Sequence, residues 1–587
     1  MSDFIFSNKK IDKGILNKNI KQIYHKDSPS VNEYHGNWGS LSVSDNLYNG
    51  FQPYETAKHI CIVIGGPVLT FRSNNFLTSK NLDEKNTGSK AIYERWLSGG
   101  MVWERDLSGP FAMLIVDKII GQITFVTDMM SFIPIYLFKD SSSLMVSTHV
   151  DALAKSSNQQ NNIDEISKVD FILHGSITFP FTDYELIKQV KPASVYYTGV
   201  EEDEVKSLTY WTPKEKVQYE SIEQAASELR GALDRYIKFV TKDMTHIAQF
   251  ISGGEDSRLL SSLLPKKIKR DSFAFLEEMN IEGKIAYKTA EAYGASFNLA
   301  KRSKTHYLDV LPACSDLVGS GSQFLNVHTM GFHKSCKLNQ YVAVFGGLFS
   351  DALLKGTRIK KVLGQGVFPF LPQIKSKSDS SVSKVKNTFF KPEVIHELDK
   401  RKKQHFEYVA QYRPESVAEW VELWPISMNS NSPNLHGNRR LFRTYEPFLA
   451  NEVIKISASV PQNWKLNRKL FYKTARPLFK STKWLINSDG RWSYFPWYVN
   501  SIPQFLMWVY QQAGRKSGLV KTNHGSWADW NVVMKSKKWQ ATTKRYIKGL
   551  NEIESVFKQN EFPNVFESKT LTKKQKLNLL QVLYYFY

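Results

Sequence analysis

Ser252-Gly253-Gly254-Glu255-Asp256-Ser257 is a stretch whose residue types and spacing suit chemistry on a charged ligand. Two adjacent glycines allow a sharp turn and leave backbone N–H groups open to an anion. Phosphate oxygens are natural guests for such a turn. Ser252 and Ser257 add hydroxyl donors, and Asp256 offers a hard carboxylate oxygen of the kind that holds Mg2+ beside a polyphosphate.

The flanking residues decide how these groups are presented. The string HIAQFISGGEDSRLL, from His246 to Leu260, reads as a buried strand, a tight turn and a helix start. The open amides therefore lie at the positive end of a helix. Ser-Gly-Gly alone before a helix is also what a polar turn with an N-cap looks like. The full string after an apolar strand is more specific, and it lacks the lysine of the commoner phosphate loop. It resembles the PP-loop of ATP pyrophosphatases. The resemblance implies that ATP is split to AMP and pyrophosphate, with Ser252, Gly253, Gly254, Asp256 and Ser257 gripping the pyrophosphate.

The elements around the loop follow from periodicity. Ile222, Ala226, Leu229, Leu233, Ile237 and Val240 recur at helical spacing ahead of the loop strand. Ser272–Leu276 reads as a second parallel strand, Glu282–Tyr293 as its crossover helix, and Tyr341–Phe345 as a third strand that runs into Gly346-Gly347-Leu348-Phe349-Ser350-Asp351. Alternating strands and helices predict a doubly wound α/β sheet with ligands at the carboxyl ends of its strands.

Residues 59–150 have a different texture: HICIVIGGPVLT, FAMLIVD, ITFVTD, IYLF and LMVSTH are short β-branched and aromatic runs between turns, as in packed antiparallel sheets. Asp106-Leu107-Ser108-Gly109-Pro110-Phe111, Val116-Asp117, Thr127-Asp128 and Ile133-Pro134-Ile135-Tyr136 together resemble the glutaminase domain of asparagine synthetases. The likeness runs loosely from about residue 35 to 500 and implies two parts. Residues 1–212 are expected to form an Ntn-type αββα sandwich, degenerate as a glutaminase. Residues 213–587 are expected to form the doubly wound PP-loop domain, adenine nucleotide α hydrolase-like, with a helical C-terminal extension. The boundary is expected near Tyr210-Trp211-Thr212-Pro213, after the acidic run Glu201-Glu202-Asp203-Glu204.

The resemblance carries further residues with it. Gly346 and Gly347 look like the family's second nucleotide loop, and Asp351 falls where the family places a second Mg2+ carboxylate opposite Asp256. Ring-closing, β-lactam-forming relatives pair a tyrosine with a glutamate; the tyrosine's place is Leu348 here, which leaves Glu446 as a candidate acid or base on its own. Those relatives also carry a late-loop lysine near the adenylate, and the comparable loop Asn487-Ser488-Asp489-Gly490-Arg491 offers Arg491 for that charge. Ser2 stands where glutamine-hydrolysing members have a cysteine. A serine alkoxide is much harder to form than a thiolate, so glutamine hydrolysis is not expected.

Composition bounds the rest. Of 587 residues, 42% are hydrophobic and 13% aromatic, as in a folded protein, and no apolar run is long enough for a membrane span. Such a length suggests about two to four domains. A net charge of +22 comes from basic residues scattered along the chain, so an anionic substrate explains it more simply than nucleic acid does. Three cysteines without CxxC spacing, and no secretory signal, suit a reducing cytoplasm.

The function implied is an ATP-dependent, AMP-forming carbon–nitrogen ligase using Mg2+: a carboxylate is activated as an acyl-adenylate and an amine displaces AMP. Its partners would be a small molecule or peptide bearing a carboxylate and an amine, as in lasso-peptide cyclases, and a homodimer is compatible. Alternatives are a glutamine- or ammonia-dependent asparagine synthetase, a sugar-acid amidotransferase, and a non-catalytic homologue that serves as a scaffold.

Overall fold

Side-chain alternation builds the first pair of layers. In the strand Phe4–Ser7, Phe4 and Phe6 turn inward between two sheets, while Ile5 turns out toward helices. The computed structural model describes residues 2–78, 84–198, 205–365, 367–376, 389–517, 527–558 and 565–587; the acidic run at 201–204 lies outside them. The first sheet orders its six strands as Ile187–Gln189, Tyr136–Lys139, Leu144–Ser147, Phe4–Ser7, Gly39–Ser44 and Val31–Gly36, with every neighbour antiparallel. The second runs Lys206–Thr209, Ser194–Thr198, Ile123–Thr127, Phe111–Asp117, His59–Gly65 and Tyr54–Glu55, again antiparallel throughout.

Phe4, Phe6, Leu41 and Val43 pack against Ile60, Ile62, Leu114 and Val116 to fill the space between the sheets. The outer face of the first sheet is covered by the helices Ile15–Ile23 and Val150–Ser156, and that of the second by Thr87–Leu97. The layers are α, β, β, α. The strands expected between 59 and 150 are present, but the sheets also recruit strands at both ends, Phe4–Ser7 to Gly39–Ser44 and Ile187–Gln189 to Lys206–Thr209.

The second sheet system is parallel. Its order is Ser296–Lys301, Lys269–Leu276, His246–Phe250, Val344–Phe345 and Thr444–Tyr445. The first strand in sequence is thus central, and the chain reverses its direction of growth between His246–Phe250 and Val344–Phe345. Such a reversal opens a crevice at the carboxyl ends of the two strands, the usual ligand position in open α/β sheets. The amphipathic helix expected ahead of it spans Ile222–Thr241, capped by the Ser221 hydroxyl on the Gln224 amide, and buries Leu229, Leu233, Ile237 and Val240.

Side chains from the first part finish the second. The Tyr48 hydroxyl donates to the Thr444 carbonyl at 2.7 Å and accepts the Thr444 amide at 3.1 Å, closing the backbone of the edge strand. Asp3, wholly buried, meets Arg439 and Arg440 of the helix Ser432–Leu441 at 3.0 and 2.8 Å. Near the C-terminus, helix Lys573–Tyr584 returns to the first part, where Asn578 donates to the Phe171 and Ile172 carbonyls. Among the described residues no helix is long and apolar enough to cross a membrane.

Candidate active site

The crevice at the reversal contains a cavity of about 810 Å3. Ser252 enters from the first loop, Leu348 and Asp351 from the second, Asn467 and Arg468 from the segment before the helix Lys469–Ala475, and Ser488, Asp489 and Arg491 from the late loop. Of the residues singled out in the sequence, Ser252, Asp351 and Arg491 line this cavity together, while Gly253, Gly254, Asp256, Ser257, Gly346 and Gly347 lie behind its lining.

The first loop is braced from within. The Ser252 amide donates to Ser257 Oγ at 3.1 Å, the two hydroxyls are 3.1 Å apart, and the Gly254 amide donates to Ser252 Oγ at 3.2 Å. Gly254 is the N-cap of the helix Glu255–Leu263. Gly253 is needed for space: a Cβ there would lie 3.1 Å from Glu282 Cγ and 3.3 Å from Ser488 Cβ. Glu282 packs directly against Gly253, and burial raises the pKa of its carboxyl. Arg258 reaches the Leu485 carbonyl at 2.8 Å and the Ser488 amide bonds the Gly253 carbonyl at 3.3 Å, which fastens the late loop onto the first.

Charge concentrates at one end of the cavity. Asp256 accepts the Ser350 hydroxyl at 2.7 Å, and the Lys355 ammonium lies 2.5 Å from Asp256, 2.8 Å from Asp351 and 3.1 Å from Glu255. Arg468 pairs with Glu255, and Arg491 pairs with Asp489, its Nε at 2.8 Å, with Glu255 4.0 Å away. Burial, with Asp351 and Glu255 close by, pushes the Asp256 carboxyl up to about 6 against the pull of Lys355. For Glu255 burial acts the same way, but Arg468, Lys355 and Arg491 outweigh it and hold the carboxyl well below the usual range. Oxygens of Asp256 and Asp351 are the right donors for Mg2+, yet their meeting point is taken by an ammonium, so this arrangement does not fit a divalent ion there.

Gly346, Gly347 and Glu446 have another role. A Cβ on Gly346 would fall 2.2 Å from Glu446 Oε1, and one on Gly347 would be 3.5 Å from Asp256 Cβ. Glu446 lies under this turn, 2% exposed, accepting the Leu348 amide at 2.9 Å and the Thr444 hydroxyl at 3.1 Å. Burial pushes its pKa up to about 7. It shapes the second loop and is not among the groups lining the cavity.

The opposite wall is aromatic: Phe370, Trp497, Trp508, Tyr510 and Trp527 line it, with Phe370 and Trp508 rings 5.7 Å apart. The last eighty or so residues thus supply cavity contacts as well as core, the latter through Trp539 and Tyr546. Sequence reasoning missed Lys355, Glu255, Glu282 and this wall. Lys355 was legible as the residue four after Asp351, the spacing that aligns side chains on a helix. Phe349, Asn467 and Arg468 have φ of +65°, +55° and +58°, left-handed backbone that non-glycine residues rarely adopt and that gathers at ligand sites. Side-chain periodicity carries no sign of it.

Residues 8–211 match the family model of the glutamine amidotransferase domain, the stretch that contains all of both antiparallel sheets except the strand Phe4–Ser7. The chain therefore carries an amidotransferase-type Ntn domain, and its parallel sheet lies outside that match. Similar solved structures include one described as the allosteric regulatory enzyme of purine biosynthesis, at 10% identity and a TM-score of 0.22. Another is glutamine phosphoribosylpyrophosphate amidotransferase from B. subtilis complexed with ADP and GMP, at 9% identity and a TM-score of 0.22. Each match covers 51% of this chain and 65% of the other. No curated protein matches the chain.

Proposed function

We propose that the chain is an ATP-dependent, AMP-forming carbon–nitrogen ligase whose amidotransferase-type domain does not hydrolyse glutamine. The observation that carries this reading is the convergence of Ser252, Asp351, Arg468 and Arg491 in one cavity at the reversal of the parallel sheet. A triphosphate fits the donors present: the Ser252 hydroxyl, the loop at a helix N-terminus, and the guanidinium groups of Arg468 and Arg491. In the reaction a substrate carboxylate attacks the α-phosphorus, pyrophosphate leaves, and an amine then displaces AMP with loss of a proton. Arg468 and Arg491, which line the cavity, supply fixed positive charge where the phosphates gain negative charge. The aromatic wall suits an acid or amine with a large apolar part, such as a peptide side chain.

The first domain's contribution is structural in this reading. Ser2 is 1% exposed, its hydroxyl is buried without a hydrogen-bond partner, and its carbonyl accepts Arg439 at 2.7 Å. A nucleophile needs room for substrate, so glutamine should yield no glutamate, and Ser2→Cys should not create that activity. Glutamate release by either protein would restore a glutamine-dependent amidotransferase.

The test of the ligase is release of AMP and pyrophosphate from ATP with paired acids and amines, peptides among them. Arg491→Ala should lower turnover by roughly a hundredfold or more, the loss expected for one preorganised charge at a developing anion. Asp256→Asn, Asp351→Ala and their double variant should lose activity to a similar extent, because the residues share one ammonium and act as a unit. A specific observation favours a second reading, a non-catalytic scaffold: Lys355 fills the carboxylate cluster. ATP binding without AMP release on any acid–amine pair would favour it.

A further inference from the structure

Three carboxylates meet at Lys355. Glu255 and Asp256 start one helix, Asp351 lies in the first turn of Ser350–Leu354, and Lys355 is the residue that ends this second helix. An ammonium has three N–H donors and no acceptor, and here one carboxylate oxygen lies within 3.1 Å for each donor. The Lys355 side chain is 2% exposed, with the Phe471 ring 4.4 Å from its nitrogen, so the charge is enclosed between an aromatic face and its three partners. A divalent ion bound by Asp256 and Asp351 would sit about 2.0–2.1 Å from the same oxygens. It could not share that point with a cation anchored by the backbone.

We propose that Lys355 is a built-in cation, holding the place between Glu255, Asp256 and Asp351 that a divalent ion would otherwise take, so that this carboxylate set binds no divalent metal. Charge arithmetic agrees. Lys355, Arg468 and Arg491 face Glu255, Asp256, Asp351 and Asp489, three cations against four carboxylates, so that little negative charge is left over to attract a divalent ion. The inference does not rest on the ligase reading, because a metal titration reads it with no nucleotide present.

The experiment is a Mn2+ titration of the full chain, followed by the loss of the free-ion paramagnetic resonance signal. Wild type and Asp351→Asn should take up equal Mn2+. Lys355→Ala should gain one tightly held ion per chain, and Lys355→Ala/Asp351→Asn should lose it again. Wild-type uptake that disappears in Asp351→Asn would overturn the proposal, as would a folded Lys355→Ala that gains nothing. Removing the ammonium leaves three carboxylates facing one another, so Lys355→Ala could be unfolded in chelator. Refolding on addition of Mn2+, seen by circular dichroism, would then be the supporting result. Should it fold under neither condition, the comparison of wild type with Asp351→Asn decides alone.

Discussion

Glu446, expected as an acid or base, lies beneath the second loop and outside the residues that line the cavity. Its carboxyl is pushed up to about 7 by burial under Gly346, above the value of about 4.3 in an unfolded chain. An acid whose folded pKa is raised gives its full stabilisation below the unfolded value and loses it as pH rises through the folded one. Wild type should therefore lose stability between about pH 4.5 and 7, up to roughly 3 kcal/mol. Glu446→Gln should lose less stability than wild type over that window, the difference growing as pH rises, and should melt above wild type at pH 8, while Asp256 and other raised carboxyls titrate alike in both proteins; parallel melting curves for the two proteins across it would show that the carboxylate is ionised throughout. Single residues were legible where chemistry restricts their type, as at Ser252 and Asp351. For Lys355 only the pairing with Asp351 had a local sign, the i,i+4 spacing; its approach to Glu255 and Asp256, about a hundred positions earlier, had none.

At the scale of elements, the glycines of the first loop differ. A Cβ on Gly253 would press on the Glu282 backbone at 3.2 Å and on Ser488, whereas one on Gly254 would meet only the end of the Ser252 side chain at 3.3 Å. Gly253→Ala should cost about 1–3 kcal/mol by overpacking and push the late loop outward. Gly254→Ala should be milder, and a melting series in which both lose the same amount would contradict this difference. The loop, the helix Ile222–Thr241 and the strand Lys269–Leu276 were readable because apolar periodicity and glycine placement are local. The expected third strand, Tyr341–Phe345, is present over Val344–Phe345, whereas Thr444–Tyr445 has two residues, too short for a period to register, and owes its place to neighbours such as Tyr48. The aromatic wall escaped because a tryptophan in a core and one lining a cavity look alike in sequence.

For the whole molecule, the Asp3 cluster is the joint to test. Besides Arg439 and Arg440, Asp3 accepts the hydroxyls of Tyr24 at 2.6 Å and Thr148 at 2.8 Å. Burial alone would raise its pKa, but Arg440 and Arg439 hold it well below the usual carboxylate range. Its contribution is therefore present above about pH 4 and is lost as pH falls through that lower value. Asp3→Asn leaves two guanidinium groups buried beside a neutral partner, which should cost about 3–5 kcal/mol at pH 7. Denaturant midpoints of the two proteins measure it, and a difference under about 1 kcal/mol would mean that water or another anion neutralises the arginines.

That joint also sets a clock. Arg440 follows Asp3 by 437 positions, and a ribosome adding roughly 5–20 residues per second takes on the order of 20–90 s to cover the gap. For all of that interval the residue ahead of the first strand is a carboxylate without its counter-charge, and the helix Lys573–Tyr584, which bonds Phe171 and Ile172 of the same domain, emerges later still. The amidotransferase-type domain is first in sequence and among the last to be completed, so a nascent chain halted before Arg439 should be cut by protease within its first two hundred residues, where the released protein resists.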